Sequence, residues 1–214
     1  MITALEALAP LREGNRRFVE NQSTAASAQN PARRAQLVAG QEPFAIVLGC
    51  SDSRVPAELV FDQGLGDLFV IRVAGNIVAP SQIGSVEFAA SRFGTRLVVV
   101  MGHSQCGAIQ ATLEEMLGRA STQSRNLKSI VDRIRSALET MLPSRTQLDS
   151  CAVMQDAVRA NVSVAAHHLR SGSELLEQLI REEGLLVVGA VYSLETGGVT
   201  FFDGFSNGCL RNPP

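Results

Sequence analysis

Three short segments of the chain are apolar almost without interruption: FAIVLG at 44–49, LFVIRV at 68–73 and RLVVVMG at 96–102. Each is rich in β-branched residues and shows no polar alternation, the pattern of strands covered on both faces. A last apolar stretch, LLVVGAVYSLETGGVTFFDG at 185–204, divides around a Glu-Thr-Gly-Gly turn and predicts an antiparallel hairpin. The intervening segments carry the helical period. Residues 4–20 predict a helical arm interrupted at Pro10, with Leu5, Leu8, Leu11 and Phe18 as its apolar side. A second helix starts at Asn30 as N-cap and Pro31 in the first turn and stops at Gly40. SQIGSVEFAASRFG predicts a helix ending at Gly94, and residues 107–142 read as helical with a polar exterior. Beyond Asp149 or Ser150, Met154, Val158, Val162, Ala165 and Leu169 recur at three- or four-residue spacing, and Ser173 to Glu183 forms a further helix closed by Gly184.

Strands alternating with helices predict an α/β fold: a mostly parallel central sheet flanked by helices, with an N-terminal helical arm (1–40) and a C-terminal antiparallel hairpin strand. The length of 214 residues suits a single domain, with 41–214 as its core. A formal charge of −2 gives no electrostatic basis for nucleic-acid binding. No apolar run approaches the roughly 20 residues that span a bilayer. The N-terminus MITALEALAPLREGNRRFVE lacks the basic-then-apolar order of a secretory signal, which points to a cytosolic protein. In a reducing compartment the four cysteines (50, 106, 151 and 209) read as ligands, nucleophiles or core residues rather than disulfides.

Two stretches carry chemistry. In LGCSDSRVP, a thiol (Cys50), a carboxylate (Asp52) and a guanidinium (Arg54) follow the end of a buried strand; in MGHSQCG, His103 and Cys106 follow the end of another. Open α/β sheets bind ligands outside the carboxyl ends of their strands. If the two strands are neighbours, Cys50, Asp52, His103 and Cys106 converge on one spot. Two thiolates and an imidazole are borderline-soft ligands suited to zinc, and three such ligands with a displaceable fourth is a catalytic arrangement. Cys151, Cys209, the pair His167 and His168 (one buried, one exposed) and Tyr192 read as structural. GLGDLF lacks the spacing of a dinucleotide loop.

CSDSRVPAE, GDLFVIRVAGN, GHSQCGA and VGAVYSLETGGV, taken together, resemble the β-class carbonic anhydrases over about residues 41–202. The resemblance implies one Zn2+ per chain held by Cys50, His103 and Cys106, with Asp52 either on the metal or paired with Arg54. It implies reversible hydration of CO2 to bicarbonate and a proton by attack of zinc-bound hydroxide. It also implies a homodimer or homotetramer built by exchanging N-terminal arms. By the same resemblance Gln41 hydrogen-bonds substrate, the Gly107 N–H meets a bicarbonate oxygen, and Phe69, Ala74 and Phe88 form an apolar CO2 pocket. Two jobs are open to Asp52. Bound to zinc it closes the site, and paired with Arg54 it orients the nucleophile; lower pH favours the closed form.

Some positions depart from the family pattern. Val73 and Gly75 stand in RVAGN where Arg-Asn is common, and Phe88 replaces a frequent tyrosine. Val47 stands where members with an inhibitory bicarbonate site carry tryptophan, and the chain has no Trp. The likeness is therefore to the open-site, plant-like type. Hydrolysis of carbon disulfide or carbonyl sulfide on the same scaffold, and a non-catalytic structural zinc site, are the competing functions.

Overall fold

The three apolar segments become adjacent strands. In the computed structural model, which describes residues 2–24, 31–121, 124–139 and 151–204, they form β1 (Ala45–Gly49), β2 (Leu68–Arg72) and β3 (Leu97–His103). The hairpin supplies β4 (Leu186–Tyr192) and β5 (Val199–Asp203). The sheet order is β2-β1-β3-β4-β5, parallel through β4 and antiparallel only at the β4–β5 edge. Every residue of β1 and β3 is buried, as expected for strands with layers on both faces.

One face of the sheet is covered by α1 (Ala4–Val19) and the short α3 (Ala57–Val60), whose Leu8, Leu11 and Val60 pack with Phe61, Val47 and Met101. The other face is covered by α4 (Pro80–Arg92), α7 (Cys151–Ser171) and α8 (Glu174–Glu182). There Val162, Ala165 and Leu169 of α7 are buried, as their spacing predicts. A third apolar cluster lies beyond the carboxyl ends of β1 and β3. It joins Ile109 and Leu113 of α5 (Gly107–Met116), Ile134 and Leu138 of α6 (Arg125–Glu139) and Val158 of α7. The remaining helix, α2 (Pro31–Leu37), buries no residue.

Several expectations need correction. The stretch expected to be helical over 107–142 is two helices, α5 and α6, parted at Gly118, whose φ of 71° ends the first in the left-handed region. Residues 140–142, the Asn30 cap, the start of the helix at Asp149 or Ser150, and Cys209 lie outside the described residues. The helix after Pro31 ends at Leu37, short of Gly40. Helix α1 runs through Pro10 unbroken; the carbonyl left without its helical donor belongs to Glu6, which is exposed to solvent. That helix packs on its own chain's sheet. Asn15 is buried there, donating to the carbonyls of Val60 (3.0 Å) and Gly197 (2.9 Å) and accepting from Val199 N–H (2.8 Å). His167 and His168 are both exposed, since Ala166 and Leu169 take the inward positions of that turn.

The crossing of α1 over α3 depends on one glycine. A Cβ at Gly14 would lie 1.7 Å from the Phe61 carbonyl oxygen, so even one methyl forces the helix off the sheet. Gly14→Ala is expected to destabilise the protein by roughly 3 kcal/mol, at the upper end of overpacking costs. Urea unfolding measures this; a change below about 0.5 kcal/mol, the range of ordinary surface substitutions, would contradict the close approach.

Candidate metal centre

Strand pairing brings the two chemical stretches together. β1 and β3 are parallel neighbours in the register Gly49↔Met101, so Cys50 and His103 leave the same edge of the sheet side by side. From His103 the chain turns through Gln105, held at φ 54°, and enters α5 with Cys106 as its N-cap. The Sγ atoms of Cys50 and Cys106 and a ring nitrogen of His103 all lie within 4.8 Å of one another. All three residues are buried, His103 completely.

The imidazole is fixed in one tautomer. His103 Nδ1 lies 2.9 Å from the Ser104 carbonyl, which only accepts, so the ring proton sits on Nδ1. That leaves Nε2 with a lone pair, buried and without a partner. An orphaned buried acceptor beside two thiols is costly unless a cation satisfies it. The thiols point the same way. The hydrogen bond from Cys106, and then the N–H groups of Gly75 and Asp52, push the Cys50 thiol down, against the effect of burial. Cys106 is driven well above the ordinary thiol range, first by its bond to Cys50 and then by burial, although the N–H groups of Ile109 and Ala108 at the start of α5 pull against this. A bound dication would favour the thiolate form of both. These donors fit zinc.

Asp52 stands at the mouth of this cluster and is turned away from it. Arg54 donates to it from Nε (2.9 Å to Oδ1), from Nη2 (2.7 Å to Oδ2) and from its backbone N–H (3.0 Å to Oδ1), a two-pronged grip. The Arg54 side chain and then its backbone N–H hold the Asp52 carboxyl well below the usual carboxylate range. Oδ2 remains 3.8 Å from His103 Nε2, one short rotation from the ligand cluster. The ion pair stabilises the folded state above about pH 4, where an unfolded aspartate is ionised. This contribution is lost as pH falls from there through the lower folded-state value.

Two residues that sequence reasoning passed over hold this loop. Arg72, at the exposed end of β2, donates from Nε to the Cys50 carbonyl (3.0 Å) and from Nη2 to the Asp52 carbonyl (2.6 Å). Its signal was an arginine closing an otherwise apolar strand. Glu195, in the β4–β5 turn, accepts from Ser104 Oγ (2.7 Å) and Gln105 Nε2 (2.6 Å), the two residues between His103 and Cys106. Gly75 has a local reason to be glycine. Its φ is 70°, an added Cβ would meet Ile134 Cδ1 at 2.7 Å, and its N–H donates to Cys50 Sγ at 3.3 Å.

The expected pocket residues divide. Ala74 begins the 3-10 turn Ala74–Asn76 that carries Gly75, and Gly107 begins α5, so both adjoin the ligands. Gln41, Phe69 and Phe88 do not. Phe69 pairs with Ile46, four residues before Cys50 along β1 and so roughly 13 Å from it at about 3.3 Å per residue. It packs in tilted contact with Phe88 and Phe93 at ring-centroid distances of 6.1 and 6.0 Å, and Phe88 is 53% exposed. Gln41 precedes β1 at the opposite edge of the sheet, where it lines a cavity of about 610 Å³ with Phe44, Phe93 and Thr95. Spacing along the chain could not reveal that these side chains lie at the wrong end of the strand for their own chain's cluster.

Fold and site define a class: an α/β protein with a two-thiol, one-imidazole cluster at the carboxyl edge of a parallel sheet, guarded by a carboxylate–arginine pair. The sequence profile of the carbonic anhydrase family matches residues 45–199. Carbonic anhydrase 2 of Mycobacterium tuberculosis is 35% identical over 197 residues, 92% of each chain. The carbonic anhydrase of Mycolicibacterium smegmatis is 38% identical over 189 residues, 88% of each. Among solved structures, the β-carbonic anhydrase CcaA superposes with a TM-score of 0.74 at 26% identity, over 92% of this chain and 95% of that one. This chain belongs to the β-class carbonic anhydrases.

The grip of Arg54 on Asp52 makes a testable statement about the carboxyl itself. In Arg54→Ala the Asp52 pKa is expected to rise toward the ordinary value of about 3.9. Carbon-13 NMR of the side-chain carboxyl, titrated with pH, measures it; an unchanged titration would mean that the arginine does not hold the carboxylate.

Proposed function

We propose that this chain binds one zinc ion through Cys50, His103 and Cys106 and hydrates CO2 reversibly, with Asp52 resting on Arg54 so that the fourth metal position stays free. The observation carrying this reading is the buried, unpartnered Nε2 of His103 facing two thiols, while the one nearby carboxylate is engaged elsewhere. Zinc supplies Lewis acidity that makes a water nucleophilic near neutral pH. The chain does the rest. Asp52, kept ionised by Arg54, accepts a proton-side hydrogen bond from the nucleophile and so aims its lone pair. Ala74 and the Gly107 N–H border the same spot and receive substrate carbon and oxygen. Two thiolates neutralise the metal's formal charge, so the working pH range should lie above that of a site built from neutral ligands.

Gln41, Phe69 and Phe88 act, on this reading, at the cluster of a neighbouring subunit. Gln41 and Phe88 are exposed at the edge of the sheet away from their own chain's ligands, which only a homodimer or larger homo-oligomer makes useful. The chain from 1 to 214 works as one catalytic unit of the cytosol. None of the described helices is long and apolar enough to cross a membrane.

Stopped-flow CO2 hydration by zinc-loaded protein is expected to rise across roughly pH 6.5–9, to vanish when a chelator strips the metal, and to return on adding zinc. Arg54→Ala should lower kcat/KM by roughly 100-fold, the scale of lost acid–base assistance. A zinc-loaded protein inactive throughout that range would contradict the proposal.

A further inference from the structure

Between the two ligands of the β3–α5 loop lie Ser104 and Gln105, neither of which faces the metal cluster. Ser104 nevertheless makes more bonds than any other residue of the loop. Its N–H donates to the Tyr192 carbonyl (2.9 Å), its hydroxyl accepts from Leu194 N–H (2.9 Å) and donates to Glu195 (2.7 Å), and its carbonyl takes the His103 Nδ1 proton (2.9 Å). Gln105 donates its amide to the same carboxylate (2.6 Å), and its carbonyl accepts from Arg54 Nη2 (3.4 Å). Ser193 Oγ completes the set of donors to Glu195 at 3.0 Å. One carboxylate in the hairpin turn thus gathers the segment that orients the imidazole on one side and touches the arginine on the other.

We propose that Glu195 is a positioning residue for the metal centre, locking the Ser104–Gln105 segment so that His103 and Arg54 keep their working orientations. It acts through the backbone of that segment and touches neither ligand nor reacting atoms. Proton transfer is not its role: Ser104 foremost, then its own backbone N–H, Gln105 and Ser193, draw its carboxyl down to about 2, too weak a base to collect protons near neutrality. The inference rests on the zinc centre proposed above, because an outer partner that fixes a ligand's ring is felt through the metal's residence.

The test compares the zinc-loaded parent with Glu195→Gln and Glu195→Ala. Glu183→Gln serves as a control, its carboxylate pairing with Arg96 at the far end of β3. Zinc release to an excess of a coloured chelator is expected to be about 10- to 100-fold faster in Glu195→Ala, intermediate in Glu195→Gln and unchanged in the control. The visible spectrum of the cobalt-substituted protein should shift in the same order, while urea midpoints of the metal-free proteins stay close to the parent's. Release within twofold of the parent in both Glu195 variants would overturn the inference while leaving the centre intact. So would a large fall in the metal-free urea midpoint with release unchanged, since that is what a purely structural turn residue would give. A parent that retains no zinc would overturn the centre and this inference with it.

Discussion

The metal cluster depends on the parallel pairing of β1 with β3. Strands in a sheet lie about 4.8 Å apart, a spacing that two thiols and an imidazole leaving adjacent strand ends can bridge with one ion. The register Gly49↔Met101 sets Cys50 beside the end of β3, and the burial of both strands on both faces prevents slippage that would separate them. The ligands are therefore carried by the core of the fold. A site assembled from residues more than fifty positions apart in the chain is an outcome of folding and not a nucleus for it.

Electrostatics decides what the assembled site can do. Two buried thiols beside an imidazole whose Nε2 has no partner form a donor set that suits a dication. The neighbouring carboxylate could become a fourth ligand of such an ion, and would then occupy the position a substrate needs. Arg54 removes it from the contest with a bidentate grip, while Arg72 ties down the backbone on which both Cys50 and Asp52 stand. On the proposed reading this sets the cluster apart from a closed structural zinc site, whose four ligands leave nothing to hold off.

Much of this was legible in the sequence. The strands declared themselves because burial on both faces strips out polar alternation, and the hairpin because a Gly-Gly turn divides its halves. Cys50, Asp52, Arg54, His103 and Cys106 stood out because all lie at or within five residues of a strand end. What was hidden was relational. Gln41 lies nine residues before Cys50 in sequence, yet strand direction carries it, like Phe69 and Phe88, away from the cluster. Glu195 looked like turn punctuation, since its partners Ser104 and Gln105 are some ninety residues away. Pro10 looked like a helix break, but the carbonyl it leaves unpaired belongs to the exposed Glu6 and the helix continues.

Zinc-edge X-ray absorption on the zinc-loaded protein tests the centre most directly. Two sulfur scatterers at about 2.3 Å with nitrogen or oxygen neighbours at about 2.0 Å are expected for Cys50, Cys106 and His103. A first shell of nitrogen and oxygen alone would place the ion elsewhere and contradict the account.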